Sequence, residues 1–249
     1  MLSKSQISFV HALHQKKYRK EHGLFIAEGT KSITEFLRSD YTVETIFCTP
    51  DAAPKLGKFS QKVKLLETSP QELKKISTLT TPHDALALIR VPQKTKFHSE
   101  SFSNRFTIVL DGIQDPGNMG TIIRTADWFG FEEIVCSPDT VEAYNPKVVQ
   151  ATMGSLARVK IHYTSLKDLF RSTGLPVLGA FLDGEVVYKA LFPQEGFLVL
   201  GNEGNGISEE VAREVSQRIT IPRFGGAESL NVAVSAAILC SEIRRATYL

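Results

Sequence analysis

Cysteine is scarce in this chain of 249 residues, which has only three, and they lie far apart. Cys48, Cys136 and Cys240 form no CxxC pair, and the six histidines form neither an HExxH nor an HxH pattern. Scattered thiols of odd number, with no signal-peptide pattern at the start, predict a reducing, cytoplasmic location. Because Cys and His show no metal-ligand spacing, the sequence also predicts no metal site.

Long apolar runs are missing as well. None approaches the roughly 18 residues that a membrane-spanning helix needs, so we expect no membrane association. Hydrophobic residues make up 42% of the chain and charged residues 22%. That composition is typical of a globular protein with a sizeable core.

The motifs of several common enzyme classes do not occur. The segment 201–208 has glycines at 201, 204 and 206 but Ile at 207, so it matches neither a phosphate-binding P-loop nor a GxGxxG dinucleotide fingerprint. No GxSxG nucleophile elbow is present. Asp111 and Asp115 lie in one loop, and we interpret them as turn residues, with a helix cap before Pro116, rather than as catalytic acids.

Charge is unevenly distributed, although the net charge is only +2. Residues 1–100 contain 16 Lys or Arg and 10 Asp or Glu, whereas the remainder contains 13 and 17. A basic front half fits a module that attracts a polyanion, but an excess of six positive charges is modest, so charge alone favours a solvated, lysine-rich surface. The run of Lys16, Lys17, Arg19 and Lys20 either contacts phosphates or forms a solvated face, and the sequence leaves both open.

Hydrophobic patterning predicts two modules joined by a polar stretch: an N-terminal α/β domain at 1–92, a linker at 93–104 and a C-terminal α/β domain at 105–249. In the first module we expect strands at 24–29, 43–48, 63–67 and 84–91 and helices at 29–39 and 69–77. In the second we expect strands at 106–111, 132–137, 158–161, 176–182, 196–203 and 218–222. Helices are expected there at 118–130, 145–154, 165–172, 208–216 and about 230–245. This alternation predicts a parallel sheet covered on both faces.

Three loops of the second module directly follow predicted strands. They are 111–124 (DGIQDPGNMGTIIR), 201–208 (GNEGNGIS) and 221–231 (IPRFGGAESLN). In open α/β sheets, ligands bind outside the carboxyl ends of the strands. These loops are therefore the candidate site.

Together the three loops resemble the motifs of the SpoU/TrmH family of RNA ribose 2′-O-methyltransferases, of the SPOUT class. The first is similar to NxGxxxRxA through Asn118, Gly120, Arg124 and Ala126. The second is similar to GxExxG through Gly201, Glu203 and Gly206. The third is similar to IPxxGxxxSLN through Ile221, Pro222, Gly225, Ser229, Leu230 and Asn231. Residues 17–33 also resemble the start of a substrate-binding module that many members carry in front.

The resemblance implies a fold and a donor. The family fold is a C-terminal parallel-sheet domain with a deep trefoil knot, an exception to unknotted topology, and the small N-terminal α/β domain would bind RNA. The methyl donor would be S-adenosylmethionine. Its predicted contacts are Leu200, Gly201, Asn202, Gly206, Ile221, Pro222, Leu230 and Asn231.

The resemblance also implies roles at the acceptor. Arg124 would grip the phosphate and orient the ribose, because an arginine does not readily give up its proton, and a role as base stays open. Asn118, Ser229 and Asn231 would supply orienting hydrogen bonds, and Glu203 would hold Arg124 or a loop amide. Members act as homodimers, and whether Arg124 serves its own or the partner's site is open. The sequence departs from the family at Arg223, where Met is frequent, and at Ala233, where Ser is frequent.

The expected activity is methyl transfer from S-adenosylmethionine to a ribose 2′-hydroxyl, with 23S ribosomal RNA favoured over tRNA. The alternatives are a tRNA ribose methyltransferase, a base methyltransferase of a related knotted family and a non-catalytic RNA-binding protein on the same fold. Trp128 and Phe129, on the helix of the first motif, are interpreted as core residues.

Overall fold

The computed structural model describes residues 1–93 and 99–248. The chain divides into two compact units. The N-terminal unit consists of residues 1–93 together with 142–157, and the C-terminal unit consists of the remaining described residues, 99–141 and 158–248. Residues 94–98 of the predicted linker lie outside the described residues. Later in that predicted linker, Ser99–Phe102 forms a 3₁₀ turn, and Phe102 is fully buried in the C-terminal unit.

The elements of the N-terminal part come first along the chain. They are α1 (Lys4–Ala12), α2 (Lys16–His22), β1 (Leu24–Glu28), α3 (Thr30–Leu37), β2 (Val43–Cys48), β3 (Lys64–Glu67), α4 (Pro70–Ile76) and β4 (Ala85–Arg90). Those that follow are β5 (Phe106–Asp111), α5 (Pro116–Trp128), β6 (Glu133–Cys136), α6 (Pro146–Thr152), β7 (Lys160–Tyr163), α7 (Leu166–Thr173), β8 (Val177–Val186), β9 (Gly196–Gly201), α8 (Glu209–Ala212), β10 (Gln217–Thr220) and α9 (Val232–Tyr248).

The N-terminal unit is built on a four-stranded mixed sheet in the order β1-β4-β2-β3. β4 runs antiparallel to both β1 and β2, whereas β2 and β3 are parallel. α4 begins as its sequence predicts, because Ser69 caps the amide of Glu72 while Glu72 reaches back to the amide of Ser69. α1 begins with the same reciprocal cap, formed by Ser3 and Gln6.

The segment 142–157 belongs to the N-terminal unit although it comes from the later half of the sequence. The predicted division assigns it to the C-terminal domain. Its residues complete the core of the first unit, where the Tyr144 ring lies 4.8 Å from the ring of the fully buried Phe25. The Glu142 carboxylate of the same segment accepts a 2.6 Å hydrogen bond from the buried Arg19. Strand and helix patterns alone do not show this, because they report local periodicity and not the partner of a segment.

The C-terminal unit contains a six-stranded sheet in the order β10-β8-β9-β5-β6-β7, and every strand pair in it is parallel. The parallel sheet predicted from the sequence is thus confirmed. Its central strands β5 and β9 are buried along almost their whole length, as continuous apolar runs require. The knot that the resemblance implies stays a prediction.

α5 is held against α9, and the Arg244 side chain of α9 caps the end of α5. Its Nε donates to the Phe129 carbonyl and one Nη donates to the Gly130 carbonyl, both at 2.6 Å.

The interpretation of Trp128 as a core residue is wrong: its side chain is 84% exposed. Trp128 lies on the solvent-exposed face of α5, with Arg124 one turn before it.

No helix in the described part of the chain is both long and apolar enough to cross a membrane.

The cysteines are buried. Burial raises the pKa of the Cys240 thiol to about 12, and it also raises the pKa of the Cys136 thiol.

Candidate active site

Two of the three motif loops begin side by side. β5 and β9 are neighbours, and their last residues, Asp111 and Gly201, are paired in register. The Asp111 carboxylate is buried and accepts a 2.7 Å hydrogen bond from the amide of Ser208, so it ties the first loop to the far end of the second. Asp115 is the N-cap of α5, and its Oδ1 accepts from the amide of Asn118 at 2.8 Å. The interpretation of Asp115 as a helix cap is confirmed, whereas Asp111 bonds a neighbouring loop and not its own turn.

One hydrogen-bonded cluster unites all three loops. The Asn118 side-chain amide donates to Glu203 Oε1 at 3.0 Å, and the Asn231 side-chain amide donates to Asn118 Oδ1 at 2.9 Å. Asn231 Oδ1 in turn accepts from the amides of Ala233 and Val234, at the start of α9. The asparagine of the third motif thus caps a helix with one end of its amide and holds the first motif with the other.

Glu203 was predicted to hold either a loop amide or Arg124, and in the structure it contacts loop amides. Its carboxylate oxygens lie 3.4 Å from the amide nitrogens of Gln114 and Asp115. The other predicted partner, Arg124, is not bound to Glu203 or to any other side chain that the structure describes. Glu203 therefore fixes the turn that leads into α5.

The glycine-rich loop is closed on itself. Asn202 and Gly206 exchange two backbone hydrogen bonds of 2.9 Å, and Asn202 Oδ1 accepts from the amides of Gly204 and Asn205. A Cβ placed on Gly201 would lie 2.2 Å from the carbonyl carbon of Gly206. Glycine is needed at 201 because the loop folds back over it.

Two backbone amides of the third loop are available to a ligand. Within the described residues, the amides of Ile221 and Leu230 make no hydrogen bond, and the Leu230 side chain is 49% exposed. Free amides beside an apolar side chain suit a ligand with a flat ring, so these residues fit the adenosine part of the predicted donor. Pro222 is half-buried, Ser229 is exposed, and Leu200 is buried in β9.

Arg124 is not part of the central cluster. It follows Asn118 by six residues in α5, which places it about 9 Å along the helix and about 120° around it. Its exposed neighbours on that face are Gly117, Thr121 and Trp128. The chain thus presents Arg124 on a different side of α5 from the cluster.

The basic run of α2 divides between the surface and the interior. Lys16, Lys17 and Lys20 are exposed, whereas Arg19 is only 3% exposed. The Arg19 guanidinium donates to the carbonyls of Leu13 and His14 as well as to Glu142. The prediction that Arg19 contacts RNA phosphate is therefore wrong, because its donors are already used inside the N-terminal unit.

The sequence analysis did not single out Ser137, Asp139 and Thr140, three residues after β6 that hold the first loop. The amide of Gly112 donates to the hydroxyls of Ser137 and Thr140, at 2.8 and 3.2 Å, and Gln114 Nε2 donates to the Asp139 carbonyl. Ser137 and Thr140 are buried polar groups directly after β6. The three motif loops were identified because polar residues directly follow a strand. The loop after β6 has the same feature and could have been identified in the same way.

The two departures from the family motif, Arg223 and Ala233, lie in the third loop and in α9. Arg223 is exposed and donates to the Ala227 carbonyl within its own loop, and Ala233 is a buried residue in the first turn of α9. Among the residues that the structure describes, no group of three or more His, Cys, Asp or Glu is arranged to hold a metal ion.

Comparison with known proteins agrees with these motifs. The model of the SpoU rRNA methylase family matches residues 105–241, and that of the MRM3-like substrate-binding domain matches residues 4–87. The chain is 30% identical to the 23S rRNA (guanosine(2553)-2′-O)-methyltransferase RlmP of Bacillus subtilis, over 93% of both chains.

Solved structures are similar along nearly the whole chain. A protein described as an RNA methyltransferase of the TrmH family, from Porphyromonas gingivalis, is 41% identical with a TM-score of 0.89 and covers 98% of this chain and 99% of its own. An AdoMet-bound rRNA methyltransferase from Sinorhizobium meliloti is 28% identical with a TM-score of 0.84, over 98% and 97%.

The family model spans more than half of the chain, and its motifs are the residues that the structure brings to one edge of the parallel sheet. The chain therefore belongs to the SpoU methylase family and is an S-adenosylmethionine-dependent RNA methyltransferase with an N-terminal substrate-binding domain.

Proposed function

We propose that this enzyme methylates a ribose 2′-hydroxyl of 23S ribosomal RNA. The observation that carries the proposal is the Asn118–Glu203–Asn231 cluster, which joins all three motifs of the resemblance at the carboxyl ends of β5 and β9. The choice of ribosomal RNA is supported by the Bacillus subtilis relative, which is named for that substrate and aligns with both domains. A tRNA substrate is the second candidate.

The donor would lie against the second and third loops. S-adenosylmethionine, when bound, supplies a methyl group on a positively charged sulfur. Gly201, Ile221 and Leu230 would contact it through their backbones, and Leu200, Asn202, Gly206, Pro222 and Asn231 would form the surrounding wall. The closed Asn202–Gly206 turn keeps this wall in place before the donor arrives, which reduces the ordering cost of binding.

The acceptor would be positioned by polar groups. Methyl transfer needs the ribose oxygen in line with the methyl group, and correct placement alone lowers the barrier by several kcal/mol, up to about 10. Asn118, Ser229 and Asn231 would hold the ribose. Arg124 would hold the neighbouring phosphate through its fixed fork of donors, an orienting role that keeps its proton.

The enzyme would act as a homodimer. Arg124 lies on a different side of α5 from the cluster, which supports a second subunit that would supply the arginine for each site. The exposed Trp128, one turn after Arg124 in α5 and 84% exposed, gives such a subunit an apolar surface to bury.

The substrate can be identified by mapping ribose methylation in total RNA from cells with and without this protein. We expect one position of 23S rRNA to lose its methyl group when the protein is absent and to regain it when the purified enzyme is added. A change confined to tRNA would assign the second candidate. No change in any RNA would overturn the proposed function.

A further inference from the structure

A cleft of about 320 Å³ lies in the N-terminal unit, apart from the motif loops. Its lining includes Thr49, Pro70, Leu73, Lys74, Pro82 and Asp84. The volume is at the lower end of the range for small-ligand sites, about 300–1,000 Å³. The cleft is therefore large enough for one small ligand but too small for a folded segment.

The cleft lies at one edge of the mixed sheet. Thr49 directly follows β2, Pro70 comes shortly after β3, and Asp84 directly precedes β4. β2 and β3 are parallel, so their carboxyl ends meet at this edge, and Cys48 is paired there with both Glu67 and Ala85. The carboxyl ends of parallel strands are where open sheets bind ligands.

The walls of the cleft are of two kinds. Pro70, Pro82 and the 2% exposed Leu73 form a rigid apolar surface. Lys74 and Asp84 add one cation and one carboxylate. Asp84 Oδ2 is held at 3.1 Å by Lys55, while the ammonium of Lys74 has no salt-bridge partner within the described residues.

This combination fits a single nucleotide. An apolar surface takes the face of a base, an ammonium takes a phosphate, and a carboxylate accepts hydrogen bonds from the N–H groups on the edge of a base. Guanine suits a carboxylate best among the four bases, because its N1–H and exocyclic amine are adjacent donors. Residues 1–100 carry six more positive than negative charges, which adds attraction for RNA.

We propose that the cleft binds one unstacked nucleotide of the RNA substrate, preferably a guanosine, and that Lys74 holds its phosphate while Asp84 reads its base. The inference rests on the proposed function, because it takes RNA as the ligand. Its consequence is that the N-terminal unit selects a nucleotide by chemistry and does not only attract the RNA backbone by charge.

The first test uses Lys74→Gln with Lys75→Gln as the matched control, both in the full chain. The two lysines are adjacent and exposed on α4, but only Lys74 lines the cleft. Both variants lose one charge. We expect Lys74→Gln to raise the Kd for 23S rRNA about tenfold, as losing a charged hydrogen bond does, and Lys75→Gln to change it much less. Equal effects would overturn the proposal.

The second test is independent of methyl transfer. The full chain is titrated with guanosine, adenosine, cytidine and uridine 5′-monophosphates, and the amide NMR signals of His83 and Asp84 are followed. We expect the guanosine nucleotide to shift them at the lowest concentration and Asp84→Asn to remove that preference. Unchanged signals at millimolar nucleotide would overturn the cleft assignment even if the enzyme methylates RNA. Shifts in an enzyme that methylates no RNA would instead overturn the proposed function alone.

Discussion

Arg19 shows how neighbouring residues of one charge can have different roles. In α2 it points inward, where Glu142 and two carbonyls hold its guanidinium, while Lys20 beside it is exposed. Removing one partner of a buried ion pair leaves the other charge unpaired. The stability of the N-terminal unit therefore depends on Arg19 and not on its neighbours.

We expect Arg19→Ala to lower the free energy of unfolding by about 3–5 kcal/mol, and Lys20→Ala to change it by less than about 0.5 kcal/mol. Urea unfolding followed by circular dichroism measures both. The double variant Arg19→Ala/Glu142→Ala should be less destabilised than the sum of the single variants. Additive losses would contradict the ion pair.

The sequence identified the motif residues better than it identified burial. The resemblance to the family motifs singled out Asn118, Glu203 and Asn231, and the structure brings them together. The sequence analysis placed Arg19 at the surface and Trp128 in the core, and the structure shows the reverse. Both errors arise because a residue's type gives only its average burial. Helical phase would have helped with Trp128, which lies one turn after the exposed Arg124.

Among the elements, the glycine-rich loop after β9 depends on one glycine more than on the others. A Cβ at 201 would lie 2.2 Å from Gly206, whereas one at 204 would meet only the Asn202 side-chain oxygen, at 3.6 Å. Alanine at 201 must therefore open the turn formed by Asn202 and Gly206. Alanine at 204 leaves it intact.

We expect Gly201→Ala to weaken binding of S-adenosylmethionine at least tenfold and Gly204→Ala to change it less than about twofold, because only the first disturbs the backbone turn. Isothermal titration calorimetry on the full chain measures both affinities. Wild-type affinity in Gly201→Ala would contradict the account of this loop.

α2 is the second element with a testable role. Its exposed Lys16, Lys17 and Lys20 are available to RNA phosphate, and each contact changes the log–log salt slope of binding by about 0.7 for single-stranded RNA. Replacing all three with Ala should flatten the slope by about 2 and leave donor binding unchanged. The matched control replaces Lys58, Lys62 and Lys64, which are also exposed. If both triple variants behave alike, α2 is only a solvated face.

Element boundaries followed from local signals where these were strong. β2 and β5 begin and end at the predicted residues, since apolar runs and turn residues bound them. α1 and α2 were not predicted, because their polar, basic sequence has little helical periodicity. The predicted 208–216 helix is shorter, with only 209–212 helical, and the chain then turns toward β10.

For the whole molecule, the position of Arg124 leads to a prediction about subunit exchange. If each site takes its arginine from the partner, Arg124→Ala and Glu203→Gln subunits are each inactive alone, but a mixed dimer has one complete site. An equal mixture refolded together should recover about a quarter of wild-type activity, the statistical yield for one site in half of the dimers. A mixture as inactive as its components would place Arg124 in its own subunit's site.

The fold class was predictable because strands alternate with helices, but the division into units was not. Whether 142–157 packs with the first or the second unit depends on contacts with Phe25 and Arg19, more than a hundred residues away. Strand order has the same origin. β8 lies between β9 and β10 because of long-range pairing that no local pattern encodes.

The central claim is transfer of a methyl group to a ribose, and the most direct measurement follows the label. The full-length enzyme is incubated with S-adenosylmethionine labelled in its methyl group and with 23S rRNA from cells that lack the protein. The RNA is then hydrolysed in alkali, which cleaves only beside a free 2′-hydroxyl. The account predicts that the label appears in alkali-resistant dinucleotides and that Arg124→Ala removes most of it. Label in mononucleotides, which marks a methylated base, would contradict the account.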